Sequence, residues 1–116
     1  MISEEQKKRV LTLIAALRSG KYQQTRNQLR NGDYFCCLGV ACDLHDNSLW
    51  QYYSYLGTSR RLADVVQEWF GFSTCFGPVV NGATLSHWND NGASFTEIAY
   101  MLENWVREQD VMGANA

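Results

Sequence analysis

No stretch of this 116-residue chain approaches the roughly 18 consecutive apolar residues that a membrane helix requires. Its first residues, MISEEQKKR, are acidic and then basic, the wrong order for a secretion signal with its apolar core. A cytoplasmic protein without a membrane partner is therefore expected. Neither a G-x-x-x-x-G-K-[ST] loop nor a G-x-G-x-x-G turn occurs, which removes the commonest glycine cradles for phosphate. A large charge excess is also missing: the net charge is -2, which speaks against a dedicated DNA-binding protein. The chain has no internal repeat and no low-complexity segment.

Paired metal ligands are absent as well. Cys37, Cys42 and His45 could be joined by Asp43, Cys75 or His87, but these do not form the two closely spaced pairs of a structural zinc site. On a helix, Cys37 and Cys42 would point about 140° apart. Asn89, Asn91 and Gly92 fit positions 3, 5 and 6 of a calcium loop, yet Ile98 stands where a bidentate carboxylate is required. No metal and no cofactor is expected. Adjacent Cys36 and Cys37 cannot bridge each other without strain, and in a reducing compartment all four cysteines should be free thiols.

What the chain does contain is aromatic and apolar mass. Four Trp, six Tyr and five Phe, with 46% apolar residues overall, suffice to build a core, and the length suits one domain. Residues 1–108 are expected as a globular unit and 109–116 as a flexible tail. Charge is unevenly placed: residues 1–30 hold seven Lys/Arg against two Glu, and the remainder three Arg against ten acids. The split either creates a basic face for an anionic ligand or partner, or is neutralised when the two parts pack together.

Ser3-Glu4-Glu5-Gln6 has capping-box spacing, and Val10, Leu13, Ile14 and Leu17 follow at helical intervals, predicting a helix over about 4–18. Tyr34–Cys36 reads as a short strand. From Cys37 a second helix follows, with Cys37, Val40, Ala41 and Leu44 on one face and Gly39 pointing to a close approach by backbone or ligand. Thr58-Ser59 is expected to cap a third helix with Leu62, Val65, Val66, Trp69 and Phe70 as its apolar stripe and Gly71 as its stop. Val79–Leu85, around Asn81-Gly82, predicts a hairpin. Asn89–Gly92 is expected as a loop, and Ser94-Phe95-Thr96-Glu97 as the capping box of a last helix. The fold class is α+β: about four helices around one core with a small antiparallel hairpin.

For function, three chemistries compete. A nucleophilic thiol at Cys36 or Cys37 could use His87 as base, with Asn89 or Asp90 orienting it; the competing reading is a packed thiol among Phe35, Leu38 and Val40. Nucleic acid is not the expected partner, because the aromatic segment LWQYYSYLG has no neighbouring basic residue before Arg60. A small-ligand site needs no catalytic machinery. Its candidate residues are Lys21, Tyr22, Gln24, Trp50, Tyr53, Arg60, Arg61, His87, Asn89 and Asp90, with Arg60 and Arg61 in the first turn of the third helix, where free N–H groups also attract anions. No catalytic residue is assigned. The same aromatics would equally serve as core, or be covered in a homo-oligomer.

The pieces SGKYQQTRNQLR, YFCCLGVACDL, LADVVQEWFG and LSHWNDNGASFTEIAYMLE together resemble an uncharacterised family of small proteins of tailed phages and prophages. Members read roughly Gly-Lys-Tyr-x-Gln, Tyr-Cys-Cys-Leu-Gly-Val and Leu-x-x-x-Asn-Asp-x-Gly-x-Ser-Phe-x-x-Ile-Ala. The similarity spans about residues 19–103, with Phe35 inserted between Tyr34 and Cys36, and Trp88 preceding Asn89-Asp90. It points to Gly20, Lys21, Tyr22, Gln24, Cys36, Cys37, Leu38, Gly39, Asn89, Asp90, Gly92, Ser94 and Phe95. The setting it implies is a phage-encoded accessory protein acting by binding in the host cytoplasm. It would capture a nucleotide-like signal of bacterial immunity or dock on a host protein.

Overall fold

A computed structural model describes residues 2–114, with side chains through Asp110. Helix α1 (Glu4–Arg18) begins with the expected capping box: Ser3 Oγ accepts from Gln6 N–H, and the Gln6 side chain accepts in return from Ser3 N–H. Its stripe of Val10, Leu13, Ile14 and Leu17 is buried, chiefly against α5 (Phe95–Ala114), whose Ile98, Ala99, Leu102, Trp105 and Val106 answer it. Helix α5 opens on the predicted Ser94/Glu97 box. It continues to Ala114, through most of the segment expected as a tail; residues 115 and 116 lie outside the described residues.

Helix α2 (Cys37–Asp46) packs on α1, and α3 (Asp64–Phe70) packs on both. The α3 start differs from expectation. Thr58 pairs backbone-to-backbone with Tyr55 instead of capping, so Arg60 and Arg61 lie in a loop, and the helix begins after Ala63 without a side-chain cap. Val65, expected in the buried stripe, is exposed. A further short helix, α4 (Leu85–Asp90), replaces the expected loop at Asn89-Asp90, making five α-helices among the described residues where about four were expected.

Strands are short. β1 (Gln23–Gln24) runs parallel to β3 (Tyr34–Phe35), which pairs antiparallel with β2 (Arg30–Asn31). β4 (Trp50–Gln51) and β5 (Ser54–Tyr55) form a hairpin, and β6 (Val79–Val80) with β7 (Ala83–Thr84) forms the predicted one, its Asn81 and Gly82 both at positive φ as a type I′ turn requires. The α+β class therefore holds, with two sheets more than expected. Buried side chains form one continuous cluster. Gly39 explains itself here: a Cβ at this position would lie 1.8 Å from the Leu29 carbonyl oxygen, which also accepts from Cys36 N–H.

Candidate functional site

The ten candidate residues separate into different surroundings. Asn89 is fully buried, and its amide is saturated: Oδ1 accepts from Gln24 Nε2 (2.9 Å) and Cys37 N (3.1 Å), while Nδ2 donates to Thr25 O (2.9 Å) and Asp90 Oδ1 (3.2 Å). Gln24 also donates to Ala93 O at 2.8 Å, and Asp90 accepts from Asn27 N–H at 2.8 Å. Gln24, Asn89 and Asp90 thus form a clasp joining β1, the start of α2 and the C-terminal end of α4. Asn89 has no polar group left for a ligand, and both of the Gln24 amide hydrogens are used inside the protein.

Tyr22 and Trp50 belong to a second internal cluster, one that spacing alone did not reveal. Asp43 accepts from Tyr22 OH at 2.6 Å and from Trp50 Nε1 at 3.0 Å. Phe35 stands edge-on to both rings, and the Arg30 guanidinium lies 5.2 Å from the Phe35 ring and 5.3 Å from the Trp50 ring. Burial, then the bond to Asp43, pushes the Tyr22 phenol well above its ordinary range, so this hydroxyl stays a donor. His87 is exposed, stands edge-on to Trp88 and contacts Asn91, while Tyr53 is exposed at the β4–β5 turn.

Arg60 and Arg61 are arranged differently. Both are exposed, and among the described residues no carboxylate pairs with either. With Gly57, Thr58, Ser59 and the half-exposed ring of Phe76 they line a recess of about 370 Å³. Arg60 and Phe76 are shared with a second recess of about 200 Å³, whose other walls are Asn27, Gln28, Cys36, Ser86 and Asp90. Beyond Gly57 lies a third recess against Trp50 and Leu56. The loop that carries the arginines is pinned: Leu29 N–H donates to Ser59 O (2.7 Å), Tyr55 and Thr58 exchange backbone bonds (2.7 and 3.1 Å), and Thr58 Oγ1 donates to Arg61 O (2.7 Å). Arg60 lines one recess with Arg61 and the adjoining one with Asp90, and a loop instead of a helix end carries both arginines. Phe76, Asn27 and Gln28 were missed. An aromatic before Gly77-Pro78 was the one signal for Phe76.

Cys36 touches this recess but is built as a structural group. It is the N-cap of α2, its Sγ accepting from Gly39 N–H at 3.4 Å. Burial pushes its thiol up to about 12 despite the helix-end amides, and Cys37 is raised well above its ordinary value for the same reason. At neutral pH Cys36 therefore stays a thiol. Among the described residues no group of three or more His, Cys, Asp or Glu side chains is placed to hold a metal ion.

The model of a family described as a domain of unknown function (DUF8296) matches residues 4–106. No curated protein and no solved structure matches the chain.

Proposed function

We propose, from the premise that this chain belongs to the DUF8296 family and from the geometry above, that it acts by binding. The ligand is a small anionic, nucleotide-like molecule held beside Arg60, Arg61 and Phe76. One observation carries this reading: two arginines without acidic partners among the described residues are held on a pinned loop beside an accessible aromatic ring. Guanidinium forks suit phosphate oxygens, and a Phe face accepts any base. Asn27, Gln28 and Ser86 offer polar groups in the adjoining recess. The resemblance to small tailed-phage and prophage proteins supports a counter-defence role, in which the ligand is a signalling nucleotide of bacterial immunity. The thiol-enzyme alternative has against it the burial of Cys36 and Cys37 and the position of His87, whose ring contacts Asn91 and Trp88.

Thermal-shift screening against cyclic dinucleotides, cyclic oligonucleotides and ADP-ribose derivatives tests the proposal. A ligand at 100 times its Kd should add about 2.7 kcal/mol and raise Tm by several degrees. The double variant Arg60→Ala/Arg61→Ala should abolish the shift. A panel without a single stabilising member, or a shift that survives loss of both arginines, would sink the reading. Docking on a host protein is a second reading, favoured by the separate groove described next.

A further inference from the structure

Two further recesses, of about 130 and 330 Å³, share Thr12 and Leu44 and so form one groove along α1. Lys8, Thr12, Ala15, Ala16 and Ser19 fall on one stripe of that helix, spanning about 16 Å, or three helical turns. Leu44 and Trp69 form the apolar floor. The small side chains at 12, 15, 16 and 19 leave room for a backbone to approach closely, which favours an elongated occupant over a compact molecule.

Charge along the groove is of one sign. Lys8 and Arg9 stand at one end and Lys21 at the other, and no carboxylate lines either recess. The α1 cations divide by face. Lys7 and Arg18 are neutralised by Asp110 and Glu103 of α5, at 2.8 and 3.0 Å. On the groove side, Lys8 has only Glu5, at 3.6 Å with both side chains largely exposed. Arg9 is held ready for use: its guanidinium lies 4.6 Å from the Trp69 ring centre and donates to Trp69 O at 3.0 Å, so little freedom is left to lose on binding. Asp43, the nearest acid of α2 to Tyr22, is turned to Tyr22 and Trp50.

From the length, apolar floor and two-ended positive rim of this groove, we propose that it is a docking site for an acidic amphipathic helix of a partner protein. Such a helix would lay apolar residues at i, i+3 or i+4 and i+7 over Leu44 and Trp69, and place carboxylates against Lys8 and Arg9 at one end and Lys21 at the other. This site is separate from the Arg60 and Arg61 recess and does not depend on it.

A ribosome-displayed library of random 16-residue peptides, selected on the intact protein, reads out the chemistry directly. Enriched peptides should be net acidic with that apolar spacing, and a synthesised lead should bind more weakly as salt rises. Ala15→Phe, which fills the exposed groove wall without changing charge, should weaken the lead at least tenfold, as should Lys21→Glu in the loop after α1. Arg60→Ala/Arg61→Ala should leave its Kd unchanged. The proposal is overturned by a selection that enriches nothing, by neutral or basic winners, or by a lead that ignores both groove variants. It is equally overturned if the protein is a dimer that Ala15→Phe dissociates, since the occupant would then be a second copy.

Discussion

Asn89 and Cys36 are the residues whose roles changed most between sequence and structure, and both changed for the same reason. A side chain's chemistry is visible in a sequence, but whether its capacity is already used is not. Asn89 spends all four hydrogen-bonding positions of its amide inside the protein. Asn89→Ala should therefore leave Gln24 Nε2 short of an acceptor and Cys37 N–H and Thr25 O unpaired, destabilising by about 3–5 kcal/mol in chemical denaturation. The paired thiols separate in the same assay. Cys36 already acts as an N-cap, a position where a hydroxyl serves better than sulfur, so Cys36→Ser should cost less than about 1 kcal/mol. Cys37 has only a long contact from Sγ to Leu85 O, at 3.8 Å, and Cys37→Ser should cost about 1–3 kcal/mol. Iodoacetamide on native protein should modify at most Cys75, the one cysteine not buried, and all four only after unfolding. Rapid native labelling of Cys36 without loss of Tm would restore it as a candidate nucleophile.

At the scale of elements, the legible parts were those specified by their own residues. Both capping boxes, the Asn81-Gly82 turn and the close approach at Gly39 are local chemistry, and each stands where the sequence puts it. Helix α4 was not legible, because six residues carry no apolar stripe and Asn89-Asp90-Asn91-Gly92 has the composition of a loop. Tertiary bonds to Asn89 hold it, and its one local sign was Thr84 Oγ1 accepting from His87 N–H. The α3 start was misjudged since Thr58 had a competing backbone partner in Tyr55, three residues before it. The α1–α5 pair carries a pH dependence. Its bond from Arg18 lowers the Glu103 carboxyl below its ordinary value, as the bonds from Ser48 lower Asp46. A depressed carboxylate contributes stability that is present above the unfolded value near 4 and is lost as pH falls through the folded one. Tm should hold from neutral pH to about 5 and decline below 4, and Glu103→Gln should make that acid decline shallower. An unchanged acid slope in Glu103→Gln would show that the pair contributes nothing.

For the molecule as a whole, the uneven charge of the sequence has a mixed outcome: α5 cancels Lys7 and Arg18, while Lys8, Arg9 and Lys21 remain along the groove. Composition predicted both possibilities, and only the relative placement of α1 and α5 could apportion them. The interior is also rich in groups that must stay protonated. Burial raises Cys36 to about 12, Tyr55 to about 12, and Cys37, Cys42 and Tyr22 in the same direction. Each contributes stability fully present below its unfolded value, near 8.5 for thiols and 10 for phenols, and lost as pH rises through the folded value. Denaturation midpoints should thus be level from pH 6 to 8 and fall from about pH 9 upward. A flat profile to pH 11 would contradict the burial of these groups.

The pairing of α1 with α5 has one more consequence, for synthesis. A ribosome makes α1 well before α5, so Val10, Leu13, Ile14 and Leu17 leave the exit tunnel without most of the surface that covers them. The nascent chain must carry an uncovered apolar stripe until translation has passed Val106. It closes on itself only once α5 has emerged, which makes ribosome-associated chaperones natural early companions of this protein.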